Sequence, residues 1–428
     1  MRNAEAALDA RHDIIANEIA ASRDALIAMT QRLVAAASPN PPGDVTQAAD
    51  VAATLLAEID GARVERFETA PGIVNLVAMI DSGRPGKRLV FNGHLDTFPL
   101  GEDLGWTVSP LGGTLRDGKL YGRGVSDMKG GIAASLVAAQ VLARHRNAWS
   151  GEIVVTLAGD EENMGSLGSR WLLENISHAK GDAMISGDVG SPLVVRFGEK
   201  GLCWIEIEST GQAAHGAHVH KGVNAIDRLR TALEGLKRLE ALSVNAPPDV
   251  TAAIMAAKSV SEPLSGAGEA DTLQRLTVNI GTISGGVSPN LVPSHARAAA
   301  DIRLPVGVTL DEVEAALRRE LDAIDGVTWR VIEKYPPGFT PPHHEIVRHT
   351  VAAATEILGR APVVNMRVGA SDARLYRMFG VPSVVFGCTP FGMGGPDEYI
   401  LVDELVLVAQ VHALAAFAFL SDSEEGTT

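Results

Sequence analysis

The sequence predicts an α/β fold in which a mostly parallel sheet is flanked by helices and a smaller, ferredoxin-like α+β domain is inserted. In the first half of the chain, short apolar runs alternate with helical patterns. Near residue 197 the order changes to β-α-β-β-α-β, and near residue 337 the first pattern returns. A length of 428 residues supports two domains. We assign residues 1–196 and 338–428 to the larger domain and 197–337 to the inserted one.

The larger domain is predicted from apolar runs typical of strands. Four of these runs are Arg88–Phe91, Ile153–Leu157, Ala183–Ile185 and Val381–Phe386. Apolar residues at helical spacing from Ile132 to Val141 predict a helix between the first two strands, and the apolar stretch that ends at Phe419 predicts a closing helix. Ligands of such sheets bind beyond the carboxyl ends of the strands. The functional site is therefore expected just after each strand.

The inserted domain combines alternating and helical periodicity. The predicted elements are strands at Ile205–Glu208, Leu276–Ile280, Asp301–Arg303 and Thr328–Ile332, and a helix at Ile226–Leu236. Thr309 and Glu312 predict a capping box that begins a second helix. The strand pattern leaves a sheet edge and an apolar helix face available for pairing, so we expect this domain to form a homodimer.

Composition and charge exclude several classes of protein. The formal net charge is −15. Because phosphate binding needs a clustered excess of Lys and Arg, we expect neither a nucleic acid nor a membrane as partner. Cys203 and Cys388 are far apart, which argues against a disulfide framework or a zinc knuckle. The N-terminal residues lack the apolar stretch of a signal peptide, and Gln410 and His412 interrupt the apolar run Leu405–Leu420. We therefore expect a cytoplasmic protein.

Four polar clusters lie at or near the ends of predicted strands. They are His94 with Asp96, Asp127, the carboxylates Asp160–Glu162, and Asp188. Each cluster alone has a structural explanation. His94 is explained as a hydrogen-bonded histidine and Asp127 as a helix N-cap. The three adjacent carboxylates are explained by compensation of a helix dipole, and Asp188 by a loop turn. Adjacent carboxylates in a cleft repel each other, however, unless a cation neutralises them. Together the clusters predict a divalent metal site, and oxygen ligands with one imidazole suit zinc, manganese or cobalt.

The same clusters lie in segments that resemble the motifs of a known family. GHLDTFP (93–99), GRGVSDMKGG (122–131), GDEENMGS (159–166) and GDVG (187–190) are similar to motifs of the co-catalytic metallo-aminohydrolases and exopeptidases related to acetylornithine deacetylase, succinyl-diaminopimelate desuccinylase and glutamate carboxypeptidase. The resemblance extends to AAHGAHVHKGVNAI (213–226), GGVSPNLVP (285–293), VGASDARLYRMFGVPSVVFG (368–387) and PDEYI (396–400). It covers nearly the whole chain and implies a metallopeptidase-like fold with an inserted dimerisation domain.

The resemblance implies how the larger domain holds metal. His94 and Asp188 would bind one metal ion. Asp127 would bridge it to a second ion, which Glu162 would ligate. Asp96 would orient the imidazole of His94.

The resemblance also implies residues that act on the substrate. Glu161 would be the general base that takes a proton from activated water and passes it to the leaving nitrogen. His215 matches a histidine that reaches across the dimer to polarise the scissile group. Asn290 and Arg303 match residues that hold substrate carboxylates. For the neighbouring histidines, His218 and His220, a solvated histidine-rich loop is as good an explanation as a role in the site.

One position departs from the family pattern. The family has a histidine ligand two residues before PDEY, where this chain has Gly394. Glycine cannot coordinate through a side chain, so the second ion would keep Asp127 and Glu162 alone as protein ligands. The first ion retains three ligands and an open position, as in catalytic sites. We therefore expect about one metal per chain. The sequence cannot place the histidines that could substitute: His343, His344 and His412.

These observations predict a metal-dependent hydrolase that cleaves a carbon–nitrogen bond of a small, carboxylate-bearing molecule. An N-acyl amino acid or a peptide is the default substrate. The missing ligand leaves open a specialised branch, similar to the aminohydrolase of 5-nitroanthranilate, which removes an amino group from an aromatic ring. A non-catalytic binding protein is the alternative from another class. Glu161 argues against it, because a binding protein needs no unliganded base beside its metal.

Overall fold

The computed structural model of the chain describes residues 2–101 and 105–421. The helices are α1 Arg2–Ala21, α2 Arg23–Ala35, α3 Thr46–Ala57, α4 Gly130–Arg144, α5 Ser169–Asn175, α6 Ala225–Arg238, α7 Pro248–Ser265, α8 Glu269–Gln274, α9 Leu310–Leu321, α10 Glu345–Leu358, α11 Ala373–Met378 and α12 Val402–Ser421. The strands are β1 Arg63–Ala70, β2 Ile73–Asp81, β3 Arg88–His94, β4 Thr114–Arg116, β5 Lys119–Tyr121, β6 Glu152–Ala158, β7 Ala183–Ser186, β8 Val194–Glu199, β9 Gly201–Thr210, β10 Thr277–Gly285, β11 His295–Leu304, β12 Val327–Tyr335, β13 Gly338–Phe339, β14 Val363–Arg367, β15 Ser383–Val385 and β16 Tyr399–Leu401.

The chain divides into two compact units. The first unit holds the chain up to Phe197, the segment Thr340–Asn365 and the chain from Ser371 onward. The second unit holds Gly198–Phe339 and the short segment Met366–Ala370. The sequence pattern placed that short segment in the larger domain, whereas in the structure it clusters with the inserted unit.

The larger sheet, whose central strands belong to the first unit, is mixed. Its strand order is β1-β2-β6-β3-β7-β15-β8-β13, and β14 pairs with β8. The centre is parallel, because β3 runs parallel to β6 and β7, and β15 runs parallel to β7. Toward the edges, β2 is antiparallel to β1 and β6, and β8 is antiparallel to β15 and β13. The α/β class predicted from the sequence is confirmed, and the antiparallel edges refine the expectation of a mostly parallel sheet.

The register of the central strands determines where the polar clusters emerge. His94, the last residue of β3, lies opposite Ala158, the last residue of β6. Asn92 in β3 lies opposite Ser186 at the end of β7. Since these strands are parallel, their carboxyl ends meet at one edge of the sheet. The segments that follow β3, β6 and β7 therefore start close to one another.

Long apolar helices pack beside this sheet. Helix α12 contacts α4, α10 and α1, and α4 is buried along almost its whole length. By length and composition α12 could cross a membrane, but 67% of its most apolar 18-residue window is buried inside the protein. His412 lies fully buried within α12. The run that the sequence predicted as a closing helix is thus a core helix of this unit.

The second unit is a four-stranded antiparallel sheet with helices packed on it. The order β10-β11-β9-β12 with α6 and α9 is the predicted ferredoxin-like arrangement. Apolar residues of α6, such as Leu229 and Leu236, share a core with Ile205 and Ile207 of β9. The structure adds α7 and α8 between α6 and β10. The capping box at the start of α9 is present, with both of its reciprocal hydrogen bonds.

Candidate metal centre and active site

His94, Asp127 and Asp188 form a cluster at the carboxyl edge of the central strands. One ligand atom from each of the three side chains lies within 4.8 Å of the others. The Nε2 atom of His94 is 3.0 Å from Oδ1 of Asp127. His94 and Asp188 are buried, and the side chain of Asp127 is 14% exposed. The structure thus brings together the three residues expected to hold the first metal ion.

The environment of His94 strongly favours positive charge. Burial lowers the pKa of His94, but hydrogen bonding to Asp127 and Asp96 outweighs burial and raises that pKa well above its ordinary value. Nδ1 of His94 lies 3.0 Å from the main-chain oxygen of Asp96, so the other ring nitrogen, Nε2, faces the cluster. A bound cation would replace the proton as the positive charge that these carboxylates require.

Glycine backbones hold Asp188 in place. A Cβ atom added to Gly131, in the first turn of α4, would lie only 2.0 Å from the main-chain oxygen of Gly187. A Cβ atom added to Gly387 would lie 2.0 Å from the main-chain oxygen of Asp188 itself. Helix α4 and the segment after β15 therefore contact the Asp188 loop backbone to backbone, an approach that only glycine allows.

Asp127 occupies a single turn of π helix, Val125–Lys129, directly before α4. Its own backbone angles, φ −128° and ψ 89°, are not helical. Asp127 therefore is not the N-cap that its position in the sequence suggested when considered alone. The irregular turn instead directs the carboxylate of Asp127 toward His94.

The carboxylate of Asp96 contacts the turn that carries Glu161 and Glu162, as well as His94. Its Oδ1 accepts a hydrogen bond from the amide of Glu161 at 3.1 Å, and its Oδ2 accepts one from the amide of Glu162 at 2.9 Å. Oδ2 also accepts a hydrogen bond from Nδ2 of Asn40 at 2.9 Å. Burial raises the pKa of Asp96, but these bonds and the charge of His94 outweigh burial and lower it. Asp96 thus connects His94 to the turn that carries the two glutamates.

The turn Glu161–Asn163, a short 3₁₀ helix, presents both glutamates to the cluster. Burial raises the pKa of Glu161 to about 8 against the opposing attraction of His94 and Arg374. Burial and the repulsion of Asp127 raise the pKa of Glu162 to about 9.

The donor set fits a divalent cation. Among the described residues, the buried Oε1 atom of Glu162 has no hydrogen-bond partner. Buried carboxylates that repel one another and an unsatisfied oxygen, next to one imidazole, suit a hard or borderline metal ion.

Arg374 is a residue of this site that the sequence reasoning missed. Its side chain is 2% exposed, and its Nη1 atom lies 3.5 Å from Oε1 of Glu161. The residue lies in the segment 368–387, which contributed to the family resemblance, but nothing in the sequence paired it with a glutamate 213 positions away.

The backbone conformation at position 394 favours glycine. Gly394 has φ +74°, in the left-handed region, and a Cβ atom there would lie 3.7 Å from the ring of Phe98. The main-chain oxygen of Gly394 accepts a hydrogen bond from Arg123, which also donates to the buried Glu398. The absence of a histidine at this position therefore coincides with a backbone conformation that disfavours one.

Two of the histidines considered as substitutes have other roles. Nδ1 of His412 lies 3.1 Å from Oγ of Ser135, and its Nε2 lies 2.8 Å from the main-chain oxygen of Phe386. Both ring nitrogens of His412 therefore have hydrogen-bond partners. Burial lowers its pKa to about 4. His344 is the N-cap of α10, where its Nδ1 accepts a hydrogen bond from an amide. Neither belongs to the His94 cluster.

The expected substrate residues of the second unit lie at two separate places. His215 begins the 3₁₀ helix Gly216–Lys221, and the next amide, of Gly216, donates to the main-chain oxygen of Asn290. These two residues lie beyond one end of the sheet. Arg303 lies near the other end of β11, opposite Leu202, where its Nε donates to Asp301 at 2.9 Å. From His295 to Arg303 a strand spans about 26 Å. Two further histidines of the loop are exposed beside His215: His218 and His220.

A cluster of metal-ligating side chains with a partly buried glutamate beside it, at the carboxyl edge of an α/β sheet, is the arrangement of a metal-dependent hydrolase. Residues 90–418 match peptidase family M20/M25/M40. The chain belongs to this family and is a hydrolase of carbon–nitrogen bonds. The family resemblance inferred from the motifs is therefore confirmed.

Individual relatives agree with the family match. The succinyl-diaminopimelate desuccinylase of Methylorubrum populi is 31% identical over 353 residues, which are 78% of this chain and 82% of that protein. The M20 family metallo-carboxypeptidase Sso-CP2 of Sulfolobus solfataricus has a similar fold, with a TM-score of 0.77 at 18% identity over 92% of this chain and 99% of that one. The YXEP protein of Bacillus subtilis, described as a dinuclear metal-binding peptidase, also has a similar fold. Its TM-score is 0.65 at 15% identity, over 94% of this chain and 99% of that one.

Proposed function

We propose that the protein hydrolyses an amide bond of a small, carboxylate-bearing molecule with a divalent metal held by His94, Asp127 and Asp188. The observation that carries this proposal is the approach of their ligand atoms to within 4.8 Å of one another, beside the partly buried carboxylate of Glu161. Three protein ligands leave coordination positions for water and substrate. Zinc, manganese and cobalt all suit one imidazole with carboxylates. A bound cation supplies Lewis-acid chemistry that polarises the scissile carbonyl and favours deprotonation of water.

Glu161 is proposed as the group that moves the proton. Its carboxylate takes a proton from the attacking water and delivers it to the nitrogen that leaves as an amine. Glu162 is proposed to face the metal instead, since its buried Oε1 has no hydrogen-bond partner and would gain one interaction from a cation. Asp96 positions both partners, because it contacts His94 and accepts hydrogen bonds from the amides of the two glutamates.

We propose a single tightly bound metal per chain. With Gly394 in place of a histidine, a second ion would depend on Asp127 and Glu162. The YXEP protein, with a similar fold, is described as dinuclear, so the number of ions is a point on which the two proteins are expected to differ.

A homodimer is proposed because the expected substrate-binding residues lie far apart within a single chain. His215 and Asn290 lie together at one end of the inserted sheet, whereas Arg303 lies near the other end. A small substrate cannot span about 26 Å. If all three residues bind one substrate, two chains must contribute them, with His215 and Asn290 from one chain and Arg303 from the other. The desuccinylase relatives support a substrate with carboxylates, which Asn290 and Arg303 would bind.

An aromatic amino acid that loses its ring amino group is the second candidate substrate. The observation in its favour is the ring of Phe98, which packs where a side chain at position 394 would project and is 39% exposed. An aromatic surface near the motif of His94 and Asp96 suits a planar substrate better than an aliphatic one.

A substrate panel tests the proposal. The metal-free protein is loaded in turn with zinc, manganese or cobalt and offered N-succinyl and N-acetyl amino acids, dipeptides and 2-aminobenzoates, with Glu161→Gln as the control. Metal-dependent release of an amine by the wild-type chain alone supports the proposal. No turnover of any amide with any of the three metals would contradict it, and turnover of the aminobenzoates alone would select the second candidate.

Subunit complementation tests the dimer. Glu161→Gln chains are mixed with His215→Ala chains under conditions that exchange subunits. One site of each mixed dimer then has an intact base and an intact partner histidine, so up to about half the activity per dimer is expected to return. Confirmed mixed dimers that stay as inactive as their parents would show that His215 does not act across a dimer.

A further inference from the structure

The turn that carries Glu161 is held at both ends. At its start, the carboxylate of Asp96 accepts hydrogen bonds from the amides of Glu161 and Glu162. At its end, Nη2 of Arg374 donates to the main-chain oxygen of Met164 at 2.7 Å. Met164 has φ +72°, a left-handed conformation that is unfavourable for a residue with a side chain. The end of the turn therefore needs an external contact to keep its shape.

The guanidinium of Arg374 is itself fixed. Its Nη1 atom donates to the main-chain oxygen of Ser371 at 2.6 Å and lies 3.5 Å from Oε1 of Glu161. The side chain is 2% exposed, so the surrounding protein restricts its movement. A planar guanidinium with two main-chain contacts has one orientation, and that orientation directs Nη1 at the carboxylate of Glu161.

A buried polar chain anchors the segment that carries Arg374. Asp372 accepts a hydrogen bond from Oγ of Ser169 at 2.6 Å, and that hydroxyl accepts one from Nδ2 of Asn92 at 3.1 Å. Asn92 lies in β3, two residues before His94. The segment of Arg374 is thus connected to the same strand that presents the histidine of the metal cluster.

We propose that Arg374 is a positioning residue for Glu161, and this inference rests on the proposed role of Glu161 as the base. Arg374 fixes the carboxylate directly and fixes its turn through Met164. Without it, the glutamate side chain regains rotational freedom, and a displacement of about 1 Å at a reacting group costs roughly 100-fold in rate. Arg374 hydrogen-bonds Ser371 and Met164 and contacts Glu161, and none of these three is a proposed ligand of the first metal ion, so we expect Arg374→Ala to retain its metal.

Kinetics of Arg374→Ala give the first test, with Arg377→Ala as a matched control. Arg377 lies on the same helix and hydrogen-bonds a main-chain oxygen, that of Ser383, at 3.0 Å. With the N-succinyl or N-acetyl amino acid that the wild-type chain hydrolyses, Arg374→Ala should lower kcat roughly 10- to 100-fold. KM and bound metal, measured by elemental analysis, should change less than threefold. Arg377→Ala should keep kcat within threefold.

Two further measurements separate positioning from a merely structural role. Millimolar guanidinium should restore part of kcat to Arg374→Ala but not to Glu161→Gln. Amide hydrogen exchange, which needs no substrate, should accelerate in the segment 161–165 of Arg374→Ala and stay unchanged there in Arg377→Ala, because the arginine holds the carbonyl of Met164. Arg374→Lys, which keeps the charge without the planar fork, is the variant to use if the alanine chain does not fold.

The double variant decides the inference. In the Glu161→Gln background, Arg374→Ala should reduce the residual rate less than threefold, because there is no base left to position. A full multiplicative loss, loss of metal, unchanged exchange in the turn, or failure of both Arg374 variants to fold would overturn the inference. If Glu161→Gln itself retains activity, the proposed function of Glu161 fails, which is a different result from any of these.

Discussion

Gly131→Ala tests whether backbone contact at the start of α4 sets the position of the metal ligand Asp188. The added methyl group would lie 2.0 Å from the oxygen of Gly187, whereas real Cβ atoms essentially never approach closer than 3.0 Å. The two backbones must therefore separate by about 1 Å. Metal–ligand distances tolerate about 0.2 Å, and Asp188 is the residue directly after Gly187. The substitution should thus disturb the metal cluster without changing any ligand.

Two effects of this substitution oppose each other, and their sizes decide the outcome. Alanine stabilises a helix by about 0.5–1 kcal/mol relative to glycine. Forcing a methyl group into close-packed surroundings costs about 1–3 kcal/mol. Since the three contacting atoms of Gly187 all belong to the main chain, the steric cost should exceed the gain in helix propensity. We expect a net loss of about 1–2 kcal/mol in the free energy of unfolding of the metal-free protein, and zinc affinity weakened at least tenfold.

The assay combines urea unfolding in the presence of a chelator with zinc titration against a chromogenic competitor. Gly281→Ala is the control, because a Cβ atom there lies 3.8 Å from its nearest neighbour, the oxygen of Ala299. This control should change neither measurement appreciably. Stability equal to or above that of the wild-type chain, together with unchanged zinc affinity in Gly131→Ala, would refute the reasoning.

Three other outcomes are expected. Glu161→Gln should lower kcat roughly 100- to 10,000-fold with the metal retained, since the amide cannot take a proton; metal loss would mean that the roles of Glu161 and Glu162 are exchanged. Dialysed active protein should hold about one metal ion per chain by elemental analysis, and two tightly bound ions would contradict the role given to Gly394. The free energy of unfolding should decrease as pH falls from 6.5 toward 4. In that range His412 takes up a proton in the unfolded chain but stays neutral in the folded protein, where its pKa is about 4. The His412→Gln variant should show a shallower slope, by up to about 1.4 kcal/mol per pH unit in that window, and an identical slope would refute this assignment.

Local signals explain what the sequence could predict. The capping box of Thr309 and Glu312 involves residues three apart, so its chemistry is visible in four letters. His94 and Asp188 follow strands whose apolar runs are distinct, and the parallel arrangement of those strands brings their ends together. The motifs supplied the family, which the comparison with known proteins confirmed.

Long-range contacts explain what the sequence could not predict. The contact between Arg374 and Glu161 joins residues 213 positions apart, and no local pattern in the sequence indicates that pairing. The amide hydrogen bonds accepted by Asp96 depend on the register between β3 and β6, which is set by the whole sheet. The antiparallel edges of the sheet likewise depend on which strands neighbour each other in space.

The interruption of the first unit by the second has a consequence for biosynthesis. The four polar clusters around His94, Asp127, Glu161 and Asp188 are all translated before the inserted unit, but β15, which completes the parallel centre of the sheet, is translated after it. Residues 340–421 add roughly 4–16 s at translation rates of about 5–20 residues per second. During that interval the nascent inserted unit, nearly all of whose residues are already made, can fold, while β7 has an unpaired edge and α4 lacks the cover of α12. A ribosome-bound chain stalled before residue 383 should therefore carry a folded insertion and a first unit that still recruits chaperones.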